Sequence, residues 1–432
     1  HIAHGRALAE KANIQNVRFL EADFVELADN PESLGLFNIV VAHGITTWIS
    51  SDTREKLFEL SGKVLEPGGV MYNSYNALPG WLPSTPFQHL VIEYQRLNNG
   101  IDAQKKAIDI FGKLKKAKSQ IFKSLPSLEA RLESLKNKPI DYLLQEYNHP
   151  VWQPVYSSQM LRIASAYKLN FLASAELPLA FRDSYSNNQN ELLDLHDDVM
   201  LRESIRDISL NTSFRRDVYV KGSNPLWKDE AVERIMDQYI VSGINDICDA
   251  PDLQDHQYSL KAGNGNIVNS KKEDVQSILS ICQQGRCQIR DIINQVDMPI
   301  LKVNLIVSLL ISNGSLAFAS KNENLEKCIS LNKVIASSCS NGAPYRYLVM
   351  PEFCKAGKLD LAQQIAAHAY IQGTPEKDLS SFVVSRLKSL GVSKQGEKLT
   401  GKVLEDFAEK SVLIFKNEKL PMLLKSGAIT SH

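Results

Sequence analysis

The sequence predicts an α/β protein built on a parallel, doubly wound sheet, and two apolar strands separated by one helix carry this prediction. The first strand, at 37–42, runs into Ala42-His43-Gly44, and the second, at 70–75, runs into Ser74-Tyr75-Asn76. Apolar runs that end in small and polar residues are typical of buried parallel strands, and a helix between them completes a βαβ unit. Ligands of open α/β sheets bind beyond the carboxyl ends of the strands, so these two strand ends form the predicted site.

The elements around these two strands follow the same alternation. A helix is predicted at 2–13 and a strand at 17–22, with Asp23 directly after it. Ser51 and Asp52 are predicted to cap a helix that runs to about Leu65, because Pro67-Gly68-Gly69 then stops it. Farther along, the pattern predicts a helix at 157–168, a strand at 169–176, helical structure at 190–210 and an antiparallel edge strand at 214–221.

A long helical stretch interrupts this alternation. Between about 85 and 147 the chain is polar and rich in Lys, and apolar residues recur at helical spacing: Phe87, Leu90, Val91, Tyr94 and Leu97. The stretch is too long for a loop, so we interpret residues 85–156 as an inserted helical subdomain. It is also the predicted site of homodimer contacts.

The remainder of the chain predicts two further domains. Residues 223–325 form a middle domain with short strands at 237–247 and 257–269, then helices at 274–282, 287–295 and 299–312 and a strand at 315–319. Three helices followed by a strand is the order of a winged-helix module. Its third helix has one Lys and no Arg, so we expect it to dock protein rather than DNA. Residues 326–432 are predicted to be mostly helical, and residues 1–84 with 157–222 form the sheet domain.

Composition excludes several classes of protein. Lys plus Arg and Asp plus Glu number 49 each, so no net charge favours nucleic acid or an anionic membrane. The six cysteines form no CxxC pair and have no His at zinc spacing, so no metal site is predicted and all six are expected to be reduced thiols. No secretion signal and no apolar run of about 18 residues is present, which favours a cytoplasmic protein without a membrane span.

The element order, with three motifs, resembles the later two-thirds of a class I S-adenosylmethionine-dependent methyltransferase. The motifs are Ala42-His43-Gly44-Ile45-Thr46-Thr47-Trp48, the segment from Ser74 to Trp81, and the segment from Glu146 to Tyr156. They resemble bacterial methyltransferases that carry a methyltransferase regulatory domain, a group that includes rickettsial protein-lysine methyltransferases of outer-membrane protein. The resemblance covers most of residues 1–320 and, more loosely, the tail.

Part of this family's cofactor site has no counterpart in the sequence. The family begins with a strand and a Gly-rich loop that holds the methionine end of the cofactor, and an acidic residue after its second strand binds the ribose. Neither is found here, and the first helix has no cap before it. We therefore expect an N-terminally truncated sheet that starts after the second strand.

The resemblance also assigns roles to the cofactor-facing residues. It implies that Asp23 accepts a hydrogen bond from the adenine amino group and that Phe24 lies near the ring. Ala42, His43 and Gly44 would face S-adenosyl-L-methionine, and His43 would orient the acceptor or help remove its proton. The alternatives from the residues alone are a helix cap for Asp23 and a structural hydrogen bond to the backbone for His43.

Four further residues are predicted to face the acceptor. Tyr75 and Asn76 are assigned to the catalytic end of the second strand, where Asn76 would accept a hydrogen bond from the amine. Trp48 and Trp81 would line the acceptor channel, because aromatic faces attract ammonium groups. The alternative for the two tryptophans is ordinary packing where domains meet.

The sequence thus predicts an S-adenosylmethionine-dependent enzyme that N-methylates lysine of a protein substrate. A small-molecule or lipid methyltransferase and a non-catalytic binding module are the alternatives. Methyl transfer from a sulfonium depends mainly on holding a neutral amine in line with the methyl group, so positioning matters more than acid–base chemistry.

Overall fold

The chain folds into two compact units. A computed structural model describes residues 1–136, 138, 140–222, 225–243, 252–253, 257–262, 266–319, 325–394 and 397–431. The first unit, here called the sheet unit, comprises Ala22–Pro225 and Ala262–Ile267. The second, here called the helical unit, comprises His1–Glu21, Leu226–Lys261 and Val268–His432. Residues 1–21, predicted to belong to the sheet domain, therefore make their contacts within the helical unit.

The predicted βαβ unit is present. Helices α1 (Ile2–Lys11) and α2 (Phe24–Asp29) precede strand β1 (Phe37–His43), helix α3 (Ser51–Val64) and strand β2 (Leu65–Asn76). β1 and β2 are parallel, with His43 opposite Ser74. The cap of α3 was predicted one residue too late, since the Ser50 hydroxyl accepts the hydrogen bond from the Thr53 amide at 3.2 Å.

The predicted strand at 17–22 is wrong. The sheet has the order β1-β2-β4-β3, which leaves β1 at an edge, and no described strand pairs with residues 17–22. A segment without a partner forms no ladder, whatever its β propensity. The edge position also corrects the expectation that β1 is buried, because Ile39 and Val41 are 62% and 61% exposed.

The inserted stretch is helical, as predicted. Its described residues form five helices: α4 (Thr85–Gln95), α5 (Gly100–Lys116), α6 (Gln120–Ser124), α7 (Ser127–Lys136) and α8 (Ile140–Tyr147). Their apolar faces enclose a core of their own, in which Phe87 meets Phe111 and Tyr147 edge-on, with ring centroids 5.6 and 5.1 Å apart.

The sheet is completed by elements after the insertion, and it is mixed rather than parallel. These elements are α9 (Ser157–Ala166), β3 (Leu169–Ser174), α10 (Asn187–Asp194), α11 (Val199–Leu210) and β4 (Phe214–Lys221). β4 is antiparallel, as predicted, but it lies between β2 and β3 instead of at an edge. Its alternation of polar and apolar residues reflects one buried and one open face of the sheet, which an interior antiparallel strand also has.

The first part of the helical unit has the predicted winged-helix order. It contains α12 (Lys228–Met236), β5 (Tyr239–Ser242), β6 (Asp252–Leu253), β7 (Gln257–Lys261), β8 (Ile267–Lys271), α13 (Lys272–Gln283), β9 (Cys287–Gln288), α14 (Ile289–Gln295), α15 (Ile300–Asn313) and β10 (Leu316–Phe318). β10, β5 and β9 form one small sheet, and β6, β7 and β8 form another. Parts of the strands predicted at 237–247 and 257–269, and Cys248, lie outside the described residues.

The tail is mostly helical, as predicted. Its elements are α16 (Leu325–Ser340), β11 (Tyr347–Met350), β12 (Lys355–Lys358), α17 (Leu361–Ile371), α18 (Leu379–Leu390), β13 (Ser393–Lys394), β14 (Glu397–Lys398), α19 (Gly401–Ile414), a π-helical turn (Phe415–Lys419) and α20 (Leu420–Lys425). α17 is buried on most sides, which explains its run of Ala residues. Within the described part of the chain, no helix combines the length and apolar character needed to cross a bilayer.

Candidate active site

The carboxyl ends of β1 and β2 lie side by side and bring His43, Gly44 and Ser74 together. The Ser74 hydroxyl accepts a hydrogen bond from the Gly44 amide at 2.9 Å, and the same oxygen lies 2.9 Å from His43 Nδ1. Tyr72 Oη is 3.2 Å from that nitrogen, and its ring stacks on the imidazole. The exposed His43 ring is therefore fixed from one side by two hydroxyl groups of the neighbouring strand.

The hydrogen bonds of Ser74 decide what His43 can do. A hydroxyl oxygen has two lone pairs, so Ser74 can accept from both Gly44 N–H and His43 Nδ1–H. That tautomer leaves Nε2 unprotonated and able to accept a proton. The opposite tautomer, with a hydroxyl donating to Nδ1, makes Nε2 a donor.

Position 44 favours glycine because of its backbone conformation, not because a neighbouring atom would clash with a side chain. Its φ is +65°, a left-handed conformation that other residues adopt only at a cost, and no atom lies within 4 Å of where a Cβ would stand. The space where a side chain would stand is therefore open. Ala42, by contrast, is 1% exposed, and its methyl group packs in the sheet core, so only its backbone is left to face a ligand.

The loop after β1 is held by a buried arginine that the sequence reasoning missed. Arg54 is 4% exposed, and its Nε donates to the Thr46 carbonyl at 2.7 Å. Burial lowers the pKa of its guanidinium. The Thr46 hydroxyl in turn donates to Asn73 Oδ1 at 3.1 Å, which ties the loop to β2. Arg54 lies three and four residues before Leu57 and Phe58, on the buried face of α3, and this spacing was the signal in the sequence.

Asn76 forms a pair with a carboxylate that was also missed. Its Nδ2 donates to Glu146 Oε1 at 3.1 Å, and this bond joins the end of β2 to helix α8. Glu146 is half-buried, and desolvation raises its pKa, against a smaller opposing effect of the Asn76 hydrogen bond. Glu146 stands first in the third motif of the sequence, which was the available signal.

Tyr75 does not reach the open end of the sheet. It is fully buried, and its hydroxyl donates to Asp217 Oδ2 at 2.7 Å. Burial, the largest influence, holds the pKa of this phenol well above its usual value, and the neighbouring Asp217 acts in the same direction. This placement argues against the predicted contact between Tyr75 and an acceptor.

Tyr75 belongs instead to a buried network of charges around Arg215. The guanidinium contacts Asp217 at 2.9 Å, Asp207 at 2.7 Å and Glu203 at 2.8 Å, and all three carboxylates are nearly inaccessible to solvent. Burial raises the pKa of Asp207, against an opposing influence of Arg215. The network joins β2, β4 and α11 beneath the site.

The two predicted channel residues lie in different surroundings. Trp81 is 7% exposed and packs in the core of the helical insertion, with the Arg131 guanidinium 4.3 Å from its ring centroid and the Trp152 ring edge-on at 5.2 Å. Trp48 is half-buried at the margin of this core, beside the His149 ring at 6.1 Å. Ordinary packing therefore accounts for Trp81, whereas Trp48 keeps an accessible face.

Asp23 and Phe24 lie at the start of α2. Asp23 is the N-cap of this helix and accepts from the Val25 amide at 2.7 Å, so the structure shows the capping role that was the alternative reading. The carboxylate is nonetheless exposed, and Phe24 is half-buried against Leu60 and Val64. Among the described residues, no three His, Cys, Asp or Glu side chains converge as metal ligands.

Three comparisons relate the chain to known sequences. Residues 139–221 match a family model described as a predicted methyltransferase regulatory domain. An uncharacterized protein of Synechocystis sp. is 34% identical over 240 residues, which are 54% of this chain and 47% of that protein. An uncharacterized protein of Rickettsia prowazekii is 25% identical over 216 residues, 48% of this chain and 38% of that protein. The chain thus spans less than half the length of these relatives.

Solved structures extend the likeness to the whole chain. The structure of PKMT2 from Rickettsia typhi matches with a TM-score of 0.66 and 15% identity, over 99% of this chain and 86% of that one. The same protein in complex with AdoHcy matches with a TM-score of 0.66 and 16% identity, over 99% and 87%. The chain therefore has the fold of this Rickettsia typhi protein, and its residues 139–221 match the family model of a predicted methyltransferase regulatory domain.

Proposed function

We propose that this chain is part of an S-adenosylmethionine-dependent methyltransferase that N-methylates lysine side chains of a protein substrate. The observation that carries the proposal is the end of β1 and β2, where Ser74 fixes His43 and Gly44 at the edge of a sheet that has the fold of PKMT2. That protein has been solved with AdoHcy, the form that S-adenosylmethionine takes after losing its methyl group. The match of residues 139–221 to a methyltransferase regulatory domain supports the same reading.

The described residues fit one end of such a cofactor. Asp23 offers an exposed carboxylate for the adenine amino group, and Gly44 leaves open space where a side chain would stand. The strand and Gly-rich loop that hold the methionine end in class I methyltransferases have no counterpart among the motifs of this sequence. When bound, the cofactor supplies a methyl group on a positively charged sulfur.

The chain's own residues would prepare the acceptor amine. A lysine ammonium must lose a proton before its nitrogen can attack, and the His43 tautomer with Nδ1–H donated to Ser74 presents Nε2 for that proton. Its ring cannot turn away without losing two contacts on β2. The half-buried Glu146 carboxylate of α8, bonded to Asn76 at the end of β2, would attract the ammonium, because an opposite charge is worth more where water is partly excluded.

Cofactor binding and label transfer test the proposal together. We expect the purified chain to bind AdoHcy in calorimetry, and a cell lysate supplied with the chain and radiolabelled S-adenosylmethionine to accumulate label in protein bands. Label confined to small solutes would favour the small-molecule alternative. Failure to bind AdoHcy at millimolar concentration would contradict the proposal for this chain and would favour a non-catalytic binding module. The exposed edge of β1 is the feature of the structure that supports a binding module.

We further propose that the protein works in the cytoplasm and that the helical insertion forms homodimer contacts. Two apolar side chains of the insertion, Leu97 and Ile101, are 81% and 45% exposed, and a second copy would cover them. Light scattering of the chain and of Leu97→Asp tests the dimer: a monomer at high concentration for the unmodified chain would refute it.

A further inference from the structure

Two cysteines of the helical unit touch each other although they are not bonded. Cys282 lies near the end of α13 and Cys287 begins β9, and their sulfur atoms are 3.7 Å apart. Among the five described cysteines, no other sulfur pair lies within hydrogen-bonding distance. Cys339, for example, donates its thiol to the Tyr345 carbonyl at 3.4 Å.

We propose that Cys282 and Cys287 form a modification site, a dithiol that peroxide converts to a reversible disulfide. The sulfurs would have to approach by about 1.6 Å to reach disulfide distance. The connecting residues 283–286 include Gly285, whose φ is +145° and whose Cβ position faces no atom within 4 Å. The glycine gives this turn the backbone freedom that such a movement needs.

The two thiols differ in the way that such a reaction requires. Cys287 is half-buried and open to a small oxidant, whereas Cys282 is 1% exposed. Either thiol can donate to the other sulfur, and when the Cys282 thiol donates, the bond lowers the pKa of Cys287 and raises the pKa of Cys282. The thiolate is the reactive form, so Cys287 is the expected point of attack and Cys282 the resolving thiol.

The chemistry balances with hydrogen peroxide as the oxidant. The Cys287 thiolate attacks one oxygen of the peroxide, the O–O bond breaks, and the products are a sulfenic acid at Cys287 and hydroxide. The Cys282 sulfur then attacks the Cys287 sulfur, and the S–O bond breaks to release water. Two thiols and one peroxide thus give one disulfide and two waters.

The disulfide would tie the end of α13 to the small sheet of the winged-helix part. Cys287 pairs with Ile240 of β5, and β5 also pairs with β10, so the new bond would join the helix to all three strands. A thiol reductant would release this link.

Trypsin offers a direct test because it cleaves between the two cysteines, at Arg286. The full chain is treated with hydrogen peroxide, alkylated, digested without reductant and analysed by mass spectrometry. We expect the peptide 273–286 linked to the peptide 287–290, a loss of about 2 Da from the whole protein, and reversal by dithiothreitol. Cys354→Ser, which removes an exposed thiol elsewhere in the unit, should leave the linked pair unchanged.

Other products would overturn the proposal. In Cys282→Ser, the resolving thiol is gone, and we expect Cys287 to stop at the sulfenic acid, which a dimedone-type reagent traps. The site is refuted if the unmodified chain yields Cys287 over-oxidised or bonded to another cysteine. It is also refuted if Cys354 is fully oxidised while 273–286 and 287–290 remain unlinked. The result from the unmodified chain is sufficient even if Cys282→Ser does not fold.

Discussion

Arg215→Met should destabilise the sheet unit far more than the loss of a surface arginine, and this is the sharpest test of the buried network. Methionine keeps the length and the packing of the arginine stem but removes its charge. The substitution leaves three nearly inaccessible carboxylates, those of Glu203, Asp207 and Asp217, without their shared cation. The three carboxylates then differ in the hydrogen-bond and ion-pair partners that they keep.

The magnitude follows from what each carboxylate keeps. Glu203 retains Arg206, and Asp217 retains the hydroxyl groups of Tyr75 and Tyr219 at 2.7 and 3.3 Å. Asp207 loses its only ion pair among the described residues. Removing one partner of a buried ion pair costs about 3–5 kcal/mol, so we expect a loss of that size.

Urea unfolding followed by tryptophan fluorescence measures this loss. Trp48, Trp81 and Trp152, three of the four tryptophans, lie in the sheet unit, so the signal reports mainly its transition. The matched control is Arg182→Met, which removes a two-pronged pair with Asp194 at 2.7 and 2.9 Å that is largely exposed to solvent. We expect that control to be close to the unmodified protein.

The pH dependence adds a second criterion. Without Arg215, the effect of burial on Asp207 loses its main opposing influence, so the folded-state pKa of Asp207 rises further above that of the unfolded chain. Groups shifted in that direction bind protons more tightly when folded, so stability rises as pH falls through their folded pKa. The deficit of Arg215→Met should shrink between pH 7 and pH 5. The reasoning fails if the two arginine variants are equally stable or if the deficit grows in acid.

Three further expectations use matched pairs or a pH comparison. Gly80→Ala should lower the free energy of unfolding by about 1–3 kcal/mol, because the new Cβ would lie 2.6 Å from backbone atoms. Gly112→Ala, in α5 with open space around it, should raise that free energy by about 0.5–1 kcal/mol. The opposite order of the two variants in urea unfolding would contradict this. Glu146→Gln should stabilise the sheet unit more at pH 8 than at pH 4.5. Burial raises the folded-state pKa of Glu146, so the penalty of its charge grows as pH rises from the unfolded-state pKa to the folded-state pKa and is complete above it. A reversed trend in thermal melts would refute this. Gly44→Ala and Gly35→Ala replace residues with φ of +65° and +79°, so each should lower the free energy of unfolding by about 1–2 kcal/mol. Only Gly44→Ala should also weaken AdoHcy binding in calorimetry.

The local elements were predictable because their signals are local. The apolar run before His43 and the helical spacing around Phe87 place β1 and the insertion where the structure has them. The strand predicted at 70–75 is also present, but β2 begins five residues earlier, at Leu65, and includes the Gly pair. The order of helices and strand in the winged-helix part was also predictable from short periodic segments. Each of these depends on residues that are near one another in the chain.

The site residues were predictable only in part. His43 and Gly44 stand at the end of a strand, and this position alone marks them. Ser74, which holds His43, lies 31 residues from it in the chain, and Glu146 lies 70 residues from its partner Asn76. Only β pairing and the docking of α8 bring these residues close. The sequence also placed Tyr75 beside an acceptor, because it cannot show on which face of β2 the side chain lies.

The sequence by itself determined where β1, the helical insertion and the helices of the winged-helix part lie, and which strand ends carry polar side chains. These features depend on hydrophobic period and turn residues, which are set by neighbouring positions in the chain. The tertiary structure alone decided the order of the strands, the edge position of β1, the interior position of β4 and the network around Arg215. The physical reason is that strand pairing and ion pairing are made between residues far apart in the chain, so a segment such as 17–22 remains irregular when no partner strand lies beside it.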